Sequence, residues 1–178
     1  MVTIRQNVFE TNSSSMHSLC ITNNTEEDDL RDEQFWIHDG IWRIHEDDLT
    51  FERYPFRILC RFSDKVKYLI ASLCGSYTPI DEAEKNLDEI RDVCKDVIPE
   101  FKDFAFEVDY AENPYYGYAQ NYGSFETWLK ANKVSIKDFL LSKKYIIICD
   151  GDEYCEWEKV KASGLINLDI IKEEVTLS

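Results

Sequence analysis

Lys144-Tyr145-Ile146-Ile147-Ile148-Cys149-Asp150 is the stretch from which the fold is read. The residues from Tyr145 to Cys149 form one continuous apolar run. It is too short for a helix of ordinary length and reads as a central strand buried in a sheet. Asp150-Gly151-Asp152-Glu153 follows directly. That segment suits a tight turn, but it also places carboxylates at a strand terminus, where ligands and metals are often held. It lacks the longer pattern of alternating oxygen ligands found in calcium loops.

The second decisive stretch lies near the other end: Val8-Phe9-Glu10-Thr11-Asn12-Ser13-Ser14-Ser15-Met16-His17-Ser18-Leu19-Cys20. Ser and Asn side chains hydrogen-bond their own backbone and favour turns. The spacing therefore predicts strands over 3–9 and 17–22 with a hydroxyl-rich reversal between them. His17 and Cys20 are close enough in sequence to reach one metal ion or one small ligand. Alternatively, Cys20 is a small buried hydrophobe and His17 a hydrogen-bonded turn residue. If the two ends meet, His17, Cys20, Cys149 and Cys155 make a nitrogen and sulfur set suited to zinc.

Between these ends the chain reads as alternating short strands and helices. Asp39-Gly40 separates Phe35-Trp36-Ile37-His38 from Ile41-Trp42-Arg43-Ile44-His45, a hairpin signal. Ser63-Asp64-Lys65 suggests a helix start, with Val66, Leu69, Ile70 and Leu73 on one face and Gly75 at the end. Thr78-Pro79 suggests another, Thr as cap, with Ala83, Leu87, Ile90, Cys94 and Val97 as its buried stripe. The remaining faces of that helix carry Glu84, Asp88 and Asp92 among other carboxylates, a solvated acidic face. Residues 104–109 read as a strand, and Tyr115 and Tyr116 belong to a Tyr- and Asn-rich loop that can present aromatics to a partner. Ser124 and Ser135 suggest caps for two short helices. The tail around Ile170 and Ile171 reads as helical or mixed. Residues 1–178 are thus expected to form a single α+β domain: an antiparallel or mixed sheet built from both chain ends, with two or three packed helices.

With 44% hydrophobic and 13% aromatic residues, the chain can build a real core and is not of disordered composition. Its 35 acidic and 20 basic residues leave a formal net charge of −15. Such a surface repels nucleic acid and anionic membrane and attracts cationic macromolecules. No apolar run reaches the length of a bilayer span, and Met1-Val2-Thr3-Ile4-Arg5-Gln6 holds no signal core. The six cysteines show no C-x-x-C pair, so a cytoplasmic protein with reduced thiols is expected. No nucleophile elbow, phosphate-binding glycine loop or H-E-x-x-H motif is present.

Asn7-Val8-Phe9-Glu10-Thr11-Asn12-Ser13-Ser14-Ser15-Met16-His17-Ser18-Leu19 resembles the N-terminal signature of a family of uncharacterised phage and mobile-element proteins. Lys144-Tyr145-Ile146-Ile147-Ile148-Cys149-Asp150-Gly151-Asp152-Glu153-Tyr154 is similar to that family's C-terminal strand. The resemblance covers the two ends; the middle agrees only in its loose helical pattern. The phage context implies inhibition of host defence, and a small acidic phage protein without enzyme motifs resembles anti-CRISPR proteins in general character. The partner then implied is a type II CRISPR effector nuclease in the host cell, whose positively charged channel holds guide and target. On this reading Glu84, Asp88, Asp92, Tyr115 and Tyr116 are the expected contact residues, and zinc is a structural ion. The alternative is a metal-dependent phage enzyme using the serine-rich turn, His17 and the strand end at Asp150 and Asp152.

Overall fold

A computed structural model describes residues 16–22, 24–51, 57–75, 78–107, 118–119, 122–150 and 171–177. Strand β8 (Tyr145–Asp150) is the apolar run. It lies inside a four-stranded antiparallel sheet, between β5 (Arg57–Leu59) and β1 (Met16–Thr22), with β9 (Ile171–Leu177) at the edge beyond β1. Ile147 and Ile148 have no exposed surface, as a strand covered on both faces requires. The expected sheet of both chain ends is therefore formed, and the fold is α+β.

A second sheet of three strands is built on the hairpin of β2 (Ile37–His38) and β3 (Ile41–His45). Asp39 and Gly40 make its turn at φ 55° and 88°. Lys102 also packs closely over Gly40. A Cβ on it would meet the Lys102 side chain at 2.6 Å, where the Gly40 carbonyl accepts the Lys102 N–H at 2.7 Å. β6 (Asp103–Glu107) joins β3 in parallel, and a third, two-stranded parallel sheet pairs β4 (Thr50–Phe51) with β7 (Tyr118–Ala119).

Parallel pairing needs a long crossover, and the segment between β3 and β6 supplies it with α1 (Phe62–Leu73) and α2 (Ile80–Val97). α3 (Tyr122–Asn132) and α4 (Ile136–Leu141) bring the helices described to four, where two or three were expected. α1 is the central helix: Val66, Tyr68, Leu69, Ile70 and Ala71 are all buried. An edge-to-face series of rings runs from Phe51 through Tyr68 and Phe125 to Phe139, with centroids 5.2, 5.6 and 5.2 Å apart. Each such pair adds about 0.5–1.5 kcal/mol to the burial of its area.

Three helix starts differ from the sequence expectation. α1 is capped from a distance, because the Glu33 carboxylate accepts the N–H groups of Phe62 (2.7 Å) and Ser63 (2.9 Å). α2 begins at Ile80 with Pro79 as its cap residue, not Thr78, and no cap side chain bonds there. Ser124 lies inside α3, whereas Ser135 does cap α4, accepting the Asp138 N–H at 3.0 Å. The tail is also corrected: Ile171–Leu177 is a strand. Its Lys and Glu residues hid it, because they break the apolar alternation by which a strand is read.

Lys65 ties three segments together. Its side chain has no exposed surface, and its Nζ donates to Asp28 Oδ2 at 3.1 Å and to the Ser142 carbonyl at 2.8 Å. Nearby, the backbone of 22–28 bonds to that of 141–144 through Thr22, Asp28 and Lys143 N–H groups. Burial is the dominant influence on both charges, raising the pKa of Asp28 and lowering that of Lys65. Desolvation therefore outweighs the mutual attraction, so the pair fixes the position of the 24–29 segment more than it adds net stability. Removing one partner is another matter, since a buried charge is left uncompensated. Lys65→Ala should cost about 3–5 kcal/mol, read as a lower urea midpoint, whereas Lys143→Ala at the exposed pair with Glu26 should cost under about 1 kcal/mol.

Candidate functional site

The sheet brings part of the expected metal set into register. Position 17 on β1 stands directly opposite Cys149 on β8 and opposite Leu177 on β9. Position 20 stands opposite Ile146 and Glu174, an odd number of steps from position 17, so the pleat sets the two in opposite phase. Cys155 lies outside the described residues. The Cys149 thiol is buried, and burial pushes its pKa up to about 12. Among the described residues no group of three His, Cys, Asp or Glu side chains is placed to hold a metal. The 17/149 pair supplies two donor positions, and a tetrahedral zinc site needs two more.

The acidic helix is fully described. α2 carries seven carboxylates against three cations, and its buried stripe is Ala83, Leu87, Ile90, Val93 and Cys94. Amphipathic periodicity turns the remaining positions outward. Glu84, Asp88 and Asp92 are all exposed. Arg91 modifies this face, pairing with Asp88 at 2.7 Å, Glu84 at 3.8 Å and Asp103 on β6 at 2.8 Å. Even so, Asp88 keeps 68% and Glu84 48% of their side-chain surface open. Asp92 has no ion-pair partner among the described residues. Tyr115 and Tyr116, the expected aromatic contacts, lie outside the described residues.

A feature missed by the sequence reading sits at the far end of β3. Trp36, Trp42, Arg43, His45, Asp47, Asp48 and Lys67 line an open cleft of about 410 Å³, with Gln34 and Ser63. Trp42 is buried in the core, whereas Trp36 is 63% exposed and stacks on His45 at 5.1 Å with a 30° tilt. Most of the charges here are already paired. Arg43 donates to Glu107 at 2.8 Å, His45 Nδ1 lies 3.2 Å from the same carboxylate, and Lys67 donates to Asp48 at 2.8 Å. Asp47 has no such partner among the described residues. Hydrophobic patterning gave Trp36 and Trp42 the same hairpin, and only the opposite burial of the two rings distinguishes a core residue from a surface one.

Ion pairs tie both the cleft and the acidic helix to β6. Asp103 at the start of β6 meets Arg91 of α2, and Glu107 at its end meets Arg43 and His45. Four residue steps of strand separate them by about 13 Å. No protein-family model, curated protein or solved structure matches this chain. No helix among the described residues is long and apolar enough to cross a membrane.

The 17/149 register has a direct chemical test. Directly opposed strand residues have Cα atoms about 4.5–5.5 Å apart, inside the span a disulfide bridges. Under mild oxidation His17→Cys is expected to form a disulfide with Cys149, identified by peptide mass spectrometry. Ser18→Cys, which stands opposite Ile148, should not.

Proposed function

We propose that this chain is an acidic binding protein that occupies a cationic surface of a nucleic-acid enzyme in the cytoplasm of a bacterial host, most specifically the DNA-binding channel of a type II CRISPR effector. The observation that carries this reading is the outward row of Glu84, Asp88 and Asp92 on a long, well-anchored helix. A rigid helix holds those charges in fixed positions, and a net charge of −15 steers the whole molecule toward positive potential. The mechanism is steric and electrostatic blockade: carboxylates on α2 take the place of DNA phosphates, and the bulk of the domain closes the channel. No bond is made or broken. A structural zinc ion bound through position 17 and Cys149, with further thiols, would cross-link the chain ends in support of this scaffold.

Exposed charges contribute chiefly to association rate and salt sensitivity. In a pull-down with a purified type II effector nuclease, the complex should form at low salt and weaken steeply as salt rises. The triple variant Glu84→Gln, Asp88→Asn, Asp92→Asn should bind about tenfold or more weakly, with a shallower salt dependence. A complex that ignores both salt and the triple variant, or no complex at all, would overturn the proposal.

A further inference from the structure

Exposed carboxylates alone give fast, weak association, so a specific complex needs an anchor that is desolvated on binding. We propose that the cleft beside Trp36 and Asp47 is that anchor and receives an arginine side chain from a cationic protein partner. This rests on the reading of the chain as a binder of cationic protein.

The chemistry left open in the cleft selects the occupant. His45 covers part of the Trp36 ring, and 63% of that residue still faces solvent. An open indole face attracts a cation, and guanidinium also stacks on it as a flat group. Arg43 and Lys67 stand against Glu107 and Asp48, whose carboxylates offset their charge. Asp47, on the turn Glu46–Leu49, is the lining charge without an ion-pair partner among the described residues. An exposed indole and a carboxylate without an ion-pair partner among the described residues, both lining one cleft, match the two recognition modes of arginine, ring stacking and charge-assisted hydrogen bonding. A nucleotide's phosphates would meet the carboxylates of Asp47 and Asp48 in the same cleft, beside two cations whose charge is already offset. Arg43 and His45 of the cleft and Arg91 of α2 are ion-paired to opposite ends of β6, about 13 Å apart along the strand.

The test uses the full chain and a fluorescein-labelled peptide of four Gly-Arg repeats, followed by anisotropy, with the Gly-Lys peptide as comparison. Trp36→Ala should weaken the arginine peptide about tenfold and Trp36→Phe by less. Asp47→Asn should weaken it about threefold or more. The parent should prefer arginine over lysine, and Trp36→Ala should abolish that preference. Unchanged far-ultraviolet circular dichroism and urea midpoint would confirm that these exposed substitutions leave the fold intact. Asp88→Asn with Asp92→Asn should weaken both peptides equally and leave the preference untouched. If Trp36→Ala and Asp47→Asn bind like the parent while the α2 variant is weaker, the anchor is overturned and the acidic-surface reading stands. Displacement of the peptide by adenosine monophosphate, with loss of that displacement in Trp36→Ala, would reassign the cleft to nucleotide and overturn the inference. Failure of both peptides to bind the parent would overturn the inference together with the reading beneath it.

Discussion

The backbone of β8 pairs with β1 on one side and β5 on the other, and two of its isoleucines have no contact with solvent. Fully burying each of those side chains is worth about 1.5–3 kcal/mol, a sizeable part of the 5–15 kcal/mol net stability of a typical domain. The pairing also decides topology. β8 can be central only if a strand from near the start of the chain lies against it, and β1 then offers its other edge to β9. Two segments separated by most of the sequence are thereby held in one ladder, while the crossover through α1 and α2 closes the second sheet.

Charge is distributed unevenly over this frame. Several cations are drawn inward or sideways onto carboxylates: Lys65 onto Asp28, Arg91 onto Asp88 and Asp103, Arg43 onto Glu107, Lys67 onto Asp48. With 20 basic residues against 35 acidic ones, such pairing leaves an excess of open carboxylates. On α2 that excess is displayed in a row, and beside Trp36 it is displayed next to an aromatic face. The first arrangement favours encounter with a positive surface and the second favours retention of one side chain. Together they describe a surface that attracts broadly and holds selectively.

Much of the frame was legible in the chain itself. Apolar periodicity marked α1 and α2, the Asp39-Gly40 pair marked the hairpin, and the isoleucine run marked the central strand, since each signal is contained within a few neighbouring residues. The cap on α1 was not legible, because the bonding group is Glu33, far away in sequence, and not the neighbouring Ser63. Nor was β9, whose charged residues give no apolar alternation and whose strand state comes from an unoccupied edge of β1. The acidic face of α2 could be read from helical spacing, but its partial neutralisation by Arg91 depends on Asp103 arriving from β6.

The sequence by itself determined the α+β class, the central strand, the amphipathic helices and the negative surface, because composition and short-range periodicity are sufficient for each. Tertiary structure alone decided which residues at a distance meet: position 17 with Cys149, Lys65 with Asp28, and Trp36 with His45 over a cleft that also contains Asp47. Those juxtapositions depend on strand order and on the direction in which each element enters the core, and no local pattern carries that information.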